Sequence, residues 1–83
     1  MFNIVFFAAL REQLGCAHCD IDLPLPASLA TVRAALIQHF PQQAERLVAG
    51  RALAAINQTL INDEDTPINS GDEVAFFPPV TGG

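Results

Sequence analysis

After Thr31 the apolar residues Val32, Ala35, Leu36, His39 and Phe40 fall at i, i+3, i+4, i+7 and i+8, and Pro41 stops the run. In an 83-residue chain this main helical stripe needs an opposing apolar surface, and the rest of the sequence offers strands rather than a second long helix. Thr31 suits the N-cap, although Ser28 would start the helix one turn earlier. Phe2, Ile4 and Phe6 alternate with Asn3, Val5 and Phe7, the period of a strand. Ala8 to Leu14 reads as a short helix closed by Gly15. Cys19 to Leu25 alternates again, with Ile21, Leu23 and Leu25 on one side, Asp20 and Asp22 on the other, and Pro24 and Pro26 at its end. Pro41 to Val48 suits a second short helix closing at Gly50. Leu53 to Ile56 and Thr59 to Ile61 read as short strands around a tight turn at Asn57-Gln58. Asn62 to Asp72 is polar and acidic, with turn chemistry at Asn69-Ser70-Gly71-Asp72, and Glu73 to Phe77 is a last strand. The expected class is α+β: one domain with a mixed sheet and one main helix packed on one face.

Strand parity then predicts a surface. If Ile4, Phe6, Val74 and Phe76 face the helix, Val5, Phe7, Ala75 and Phe77 face the other way, together with one of Leu60 or Ile61. A one-helix domain has nothing left to cover that side unless the Asn62 to Asp72 loop folds over it. Phe7, Leu60 and Phe77 are therefore the candidate partner-binding patch, because aromatic anchors dominate protein interfaces.

The last strand runs without a linker into Pro78-Pro79-Val80-Thr81-Gly82-Gly83. The prolines fix an extended exit from the domain, whereas Gly82 and Gly83 fit a channel too narrow for side chains. Residues 78–83 are expected to form an extended, flexible tail whose useful group is the carboxylate of Gly83. A frayed terminus is the alternative.

Composition excludes several function classes. Nine acidic residues against four arginines give a formal charge of -5, the wrong sign for a phosphate backbone, so nucleic acid is not expected as a partner. An apolar fraction of 51% with 16% charged residues argues against disorder and for surplus hydrophobic surface. No apolar run suits a membrane span and no secretory signal is visible, so the expected location is the cytoplasm. All four basic residues, Arg11, Arg33, Arg46 and Arg51, are arginines, and a chain without lysine cannot link to itself through a lysine side chain. Cys16-Ala17-His18-Cys19 supplies at most three ligands where a closed zinc site takes four, and a strand rather than a helix follows it. It reads as a loop with two incidental cysteines, with adventitious metal binding or air oxidation as alternatives. His39 reads as a residue at the core edge.

The opening Ile4-Val5-Phe6-Phe7-Ala8-Ala9-Leu10-Arg11-Glu12, the middle Leu53-Ala54-Ala55-Ile56-Asn57-Gln58-Thr59-Leu60 and the closing Gly71-Asp72-Glu73-Val74-Ala75-Phe76-Phe77-Pro78-Pro79-Val80-Thr81-Gly82-Gly83 cover nearly the whole chain. In these segments it resembles the small subunits of molybdopterin synthase, a family of ubiquitin-like sulfur carriers. The resemblance implies a β-grasp fold and a heterotetramer in which the tail enters the active site of a larger subunit. It also implies a ubiquitin-activating-like adenylyltransferase that uses ATP to adenylate the terminal glycine, which then becomes a thiocarboxylate. That sulfur goes to cyclic pyranopterin monophosphate, forming molybdopterin. By position Gly83 would carry the sulfur and Gly82 would fit the tunnel, with Phe7, Arg11, Leu60 and Phe77 against the large subunit. Pro78, Pro79, Val80 and Thr81 would enter with the glycines. Arg11 equally suits a solvated helix position. No cofactor is expected on the chain itself, and no phosphate-binding loop or lysine is present to catalyse activation. The family needs no cysteine in the loop that holds Cys16 and Cys19, which stay unassigned, and its basic residues around Gly50-Arg51 often include a lysine, which Arg51 would replace. A thiazole-forming sulfur carrier, a ubiquitin-like protein modifier and a plain interaction module are the competing readings.

Overall fold

The computed structural model describes residues 2–79. β1 (Phe2–Phe6) opens the chain, and α1 (Ala8–Leu14) follows after a corner at which Ala8 takes φ 54°. Gly15 ends α1 in the left-handed region at φ 76°, and its N–H donates to the carbonyls of Arg11 and Glu12. Next come β2 (His18–Ile21), β3 (Ala27–Ser28), α2 (Leu29–His39), a 3-10 turn (Pro41–Gln43) and α3 (Ala44–Leu47). The chain continues with β4 (Leu53–Ile56), β5 (Thr59–Ile61), β6 (Pro67–Ile68) and β7 (Val74–Phe77).

Five strands form one sheet in the order β2-β1-β7-β4-β5, so the last strand lies at its centre. β1 and β7 are parallel, and the other pairs are antiparallel. The β4–β5 hairpin turns through Asn57 and Gln58, both at positive φ (52° and 70°), the backbone of a type I′ turn. Asn57 also clips this turn to the start of β7. Its N–H donates to the Glu73 carbonyl, its side-chain oxygen accepts from the Glu73 N–H at 3.0 Å, and its Nδ2 donates to Asp72.

Ser28 caps α2, its hydroxyl accepting from the Thr31 N–H at 3.1 Å, so the earlier of the two expected starts is used. The extra turn adds Leu29 to the buried face, which centres one residue round from the expected stripe while Ala35 and Phe40 stay at its margin. Leu29, Val32, Arg33 and Leu36 point inward, while His39, expected at the core edge, is exposed against the Phe40 ring. β2 ends at Ile21 rather than Leu25, because Ile21 already pairs with Phe2, where β1 begins. The Asn62 to Asp72 segment contains β6, which pairs with β3, and it ties down the start of α2: Leu29 and Ala30 donate to the Thr66 and Glu64 carbonyls. It packs on the helix side, with Ile68 fully buried, and does not cover the other sheet face.

Ile4, Phe6, Leu10, Leu29, Val32, Leu36, Leu47, Ile68, Val74 and Phe76 are the large side chains of the core. Each contributes on the order of 1.5–3 kcal/mol by leaving water. One cation sits among them. Arg33 donates from Nη1 to the carbonyls of Leu47 (2.7 Å) and Ala52 (2.8 Å), forms a two-pronged pair with Glu64 at 2.8 and 3.0 Å, and lies over the Phe76 ring. A buried guanidinium is tolerable only when its donors are occupied in this way.

Candidate functional site

The register places the outer residues in rows. Val5, Ala75, Ala55 and Leu60 lie opposite one another across β1, β7, β4 and β5, and Leu53 lies opposite Phe77 in the next row. Their inward neighbours Phe6, Phe76, Ala54 and Ile61 form the matching row on the helix side. The parity expectation is therefore resolved in favour of Leu60 outward and Ile61 inward. The two alanines make a low floor, and larger side chains stand around it. Phe7 is 48% and Leu60 51% exposed, and Phe77 is half-buried.

Phe7 is held in place rather than left loose. Its N–H donates to the Phe76 carbonyl at 3.1 Å, extending the β1–β7 ladder, and its extended backbone (φ -124°, ψ 159°) turns the ring opposite to Phe6. α1 packs beside β7 and carries Arg11, which is exposed in its last turn, where a cation suits the helix dipole. Pro78, half-buried, and Pro79, exposed, follow β7 directly. Val80, Thr81, Gly82 and Gly83, also expected at this site, lie outside the described residues. The side chains gathered here offer apolar area rather than an acid, a base or a nucleophile.

The cysteines lie elsewhere. Cys19 pairs with Ile4 across β2 and β1, so its side chain faces the core; burial pushes its thiol pKa up, helped by Cys16 and Asp20. Both thiols are free, and Cys16 packs against the core margin. Among the described residues no group of three or more His, Cys, Asp or Glu is placed to hold a metal ion, and no helix is long and apolar enough to cross a membrane.

A strand held at the centre of a small mixed sheet, with one long helix behind it and a diglycine sequence beyond, can be compared with known proteins as a whole. The ThiS family model matches residues 4–83. The chain belongs to the ThiS family. Within curated relatives, the molybdopterin synthase sulfur carrier subunit of Escherichia coli (strain K12) is 46% identical, the match covering the whole of both chains. The crystal structure of SAMP1 from Haloferax volcanii superposes with a TM-score of 0.84 at 25% identity, covering 99% of this chain and 98% of that one. A protein–protein complex of subunits 1 and 2 of molybdopterin-converting factor from Helicobacter pylori 26695 gives a TM-score of 0.68 at 28% identity, over 99% of this chain and 97% of the matched one. The ThiS-family architecture is thus the expected α+β, ubiquitin-like β-grasp. Arg33, the residue that sequence reading missed, belongs to the stability of this fold. It lies four residues after Leu29 on the observed inward stripe, and its counter-charge Glu64, 31 positions away, left no local signal.

Proposed function

We propose that this chain is the sulfur-carrying small subunit of a molybdopterin synthase. The observation that supports this best is the joining of three features: a central strand fixed on both edges, an uncovered patch of Phe7, Leu60 and Phe77 around it, and the Pro-Pro to Gly-Gly sequence that continues it. The patch binds the large subunit, with Arg11 at its margin. The tail from Pro78 through Gly83 enters that subunit's active site.

A carboxylate resists attack because oxide is a poor leaving group. In the proposed cycle the Gly83 carboxylate attacks the α-phosphorus of ATP on a separate adenylyltransferase, releasing pyrophosphate and leaving an acyl adenylate. A sulfur nucleophile then adds at the acyl carbon and expels AMP, giving a terminal thiocarboxylate. This group is anionic and nucleophilic at neutral pH: its sulfur bonds to cyclic pyranopterin monophosphate, and water then cleaves the acyl–sulfur bond, leaving the sulfur on the acceptor and returning Gly83 to a carboxylate. The chain supplies delivery and the partners supply catalysis, with ATP used by the activating enzyme alone.

Tandem mass spectrometry of the C-terminal peptide, after incubation with ATP, an activating enzyme and a sulfur source, tests this. Sulfur replacing oxygen on Gly83 is the expected result; an unmodified Gly83 beside a control carrier that is converted would sink the reading. The likeness to SAMP1 favours a second reading, a protein modifier, since structures matching this chain include one described as a small archaeal modifier protein. That reading expects Gly83 joined by an isopeptide bond to lysines of other proteins, which the same spectra of cell extracts would display.

A further inference from the structure

Of the four arginines, Arg33 is saturated inside the fold, and it forms the one ion pair found among the described residues. Arg46 on α3 and Arg51 before β4 are both exposed, and together they line a cleft of ≈130 Å³ with Leu10, Gln13 and Pro78. Among the described residues no carboxylate lines it, although the chain carries nine acidic side chains. Two arginines lining one small cleft concentrate positive charge there, which an anion between them would relieve. On a chain of net charge -5 this is a local inversion of sign, and it stands at the first residue beyond β7.

We propose that this cleft receives a side-chain carboxylate, an Asp or Glu, of the protein that takes up the tail; this rests on the reading that the tail is delivered to a partner. Three features favour a carboxylate. The volume gives room for one small anion, since about 10–15 Å³ in the same measure already holds a water. Guanidinium forks match a planar carboxylate, and Gln13 adds an amide donor. Leu10 and Pro78 supply apolar lining, which lowers the local dielectric beside the pairing. The occupant is placed by continuity: Pro78 directly follows Phe77 of the outer patch. Leu10 and α3 belong to the helix side of the sheet, so the tail's root is gripped from both sides, by apolar area on one and by charge on the other. Such a charged contact fixes orientation and speeds encounter more than it adds bulk affinity.

The experiment measures association with the molybdopterin synthase large subunit over a range of NaCl concentrations, for the unaltered chain and for R46Q/R51Q. The double variant is expected to bind about 30-fold more weakly at low salt, to lose most of its salt dependence and to keep its Tm. Rescue of R46E/R51E by an Asp or Glu to Arg exchange on the large subunit is the positive result that identifies the carboxylate. Equal affinity and equal salt dependence of the two chains would overturn the proposal. So would stabilisation of the unaltered chain, but not of the double variant, by millimolar inorganic phosphate with partner binding unaffected, since the cleft would then serve a small anion. Failure of the unaltered chain to bind at all overturns the reading beneath the proposal, and the proposal with it.

Discussion

Along β1 and β7, Ile4, Phe6, Val74 and Phe76 alternate with Val5, Phe7, Ala75 and Phe77, so the two sets are one residue apart in sequence and on opposite faces in space. The inner set lies beneath α2 and α3 and is almost wholly buried, while the outer set rises from buried Ala75 to half-exposed Phe7. Hydrophobicity does not distinguish them; both are rich in phenylalanine. The difference is the cover, because the chain has helices enough for one face only. The same residue type therefore packs the core on one side and stands uncovered on the other.

Truncating sequence neighbours on opposite faces tests this contrast most severely. Phe76→Ala should cost about 3–5 kcal/mol in urea unfolding, since it opens a core cavity and removes the ring beneath Arg33. Phe77→Ala should cost roughly 1 kcal/mol, and equal losses would show that both faces are core. Next in size is Arg33→Met, expected to lose about 2–4 kcal/mol, because the buried carbonyls of Leu47 and Ala52 would be left without donors. A neutral effect would mean that the inner face is held by packing alone. Leu60→Asp, on the outer face, should leave stability within about 0.5 kcal/mol while weakening large-subunit binding by roughly 30-fold or more, read by calorimetry. The smallest effect belongs to Asp72. Its carboxyl is held below its ordinary pKa, first by the Asn69 N–H and then by the Asn57 amide. A group with a depressed folded pKa stabilises the fold above its unfolded pKa and loses that contribution as pH falls below about 4. Asp72→Asn should therefore lower the neutral plateau of a stability–pH curve slightly and flatten its acid limb, the two chains converging at low pH.

Legibility in the sequence followed the range of the interactions. Leu53 to Ile56, Thr59 to Ile61 and Ala8 to Leu14 were readable to the residue, since alternation, a turn pair and a closing glycine are all local signals. The outward direction of Phe7 and Phe77 followed from parity alone. β3 and β6 were not readable: each has two residues, and they meet across some forty positions through pairing that no short window contains. Arg33 was hidden for the same reason, because its counter-charge Glu64 comes from the far end of the hairpin region. The alternation of Leu23 and Leu25 outlived the strand, which stops where its neighbour does. The Arg46 and Arg51 cleft was invisible because α1, α3 and Pro78 meet only in the folded chain.

The central place of β7, flanked by β1 on one edge and β4 on the other, has a mechanical consequence. A protein that draws on residues beyond Pro79 pulls along the strand, at right angles to the hydrogen bonds that hold it. Loaded in shear, these bonds share the tension and do not open one after another, as they would if an edge strand were peeled away. The last strand is thus placed as an anchor bolt is, gripped on both edges and loaded along its length.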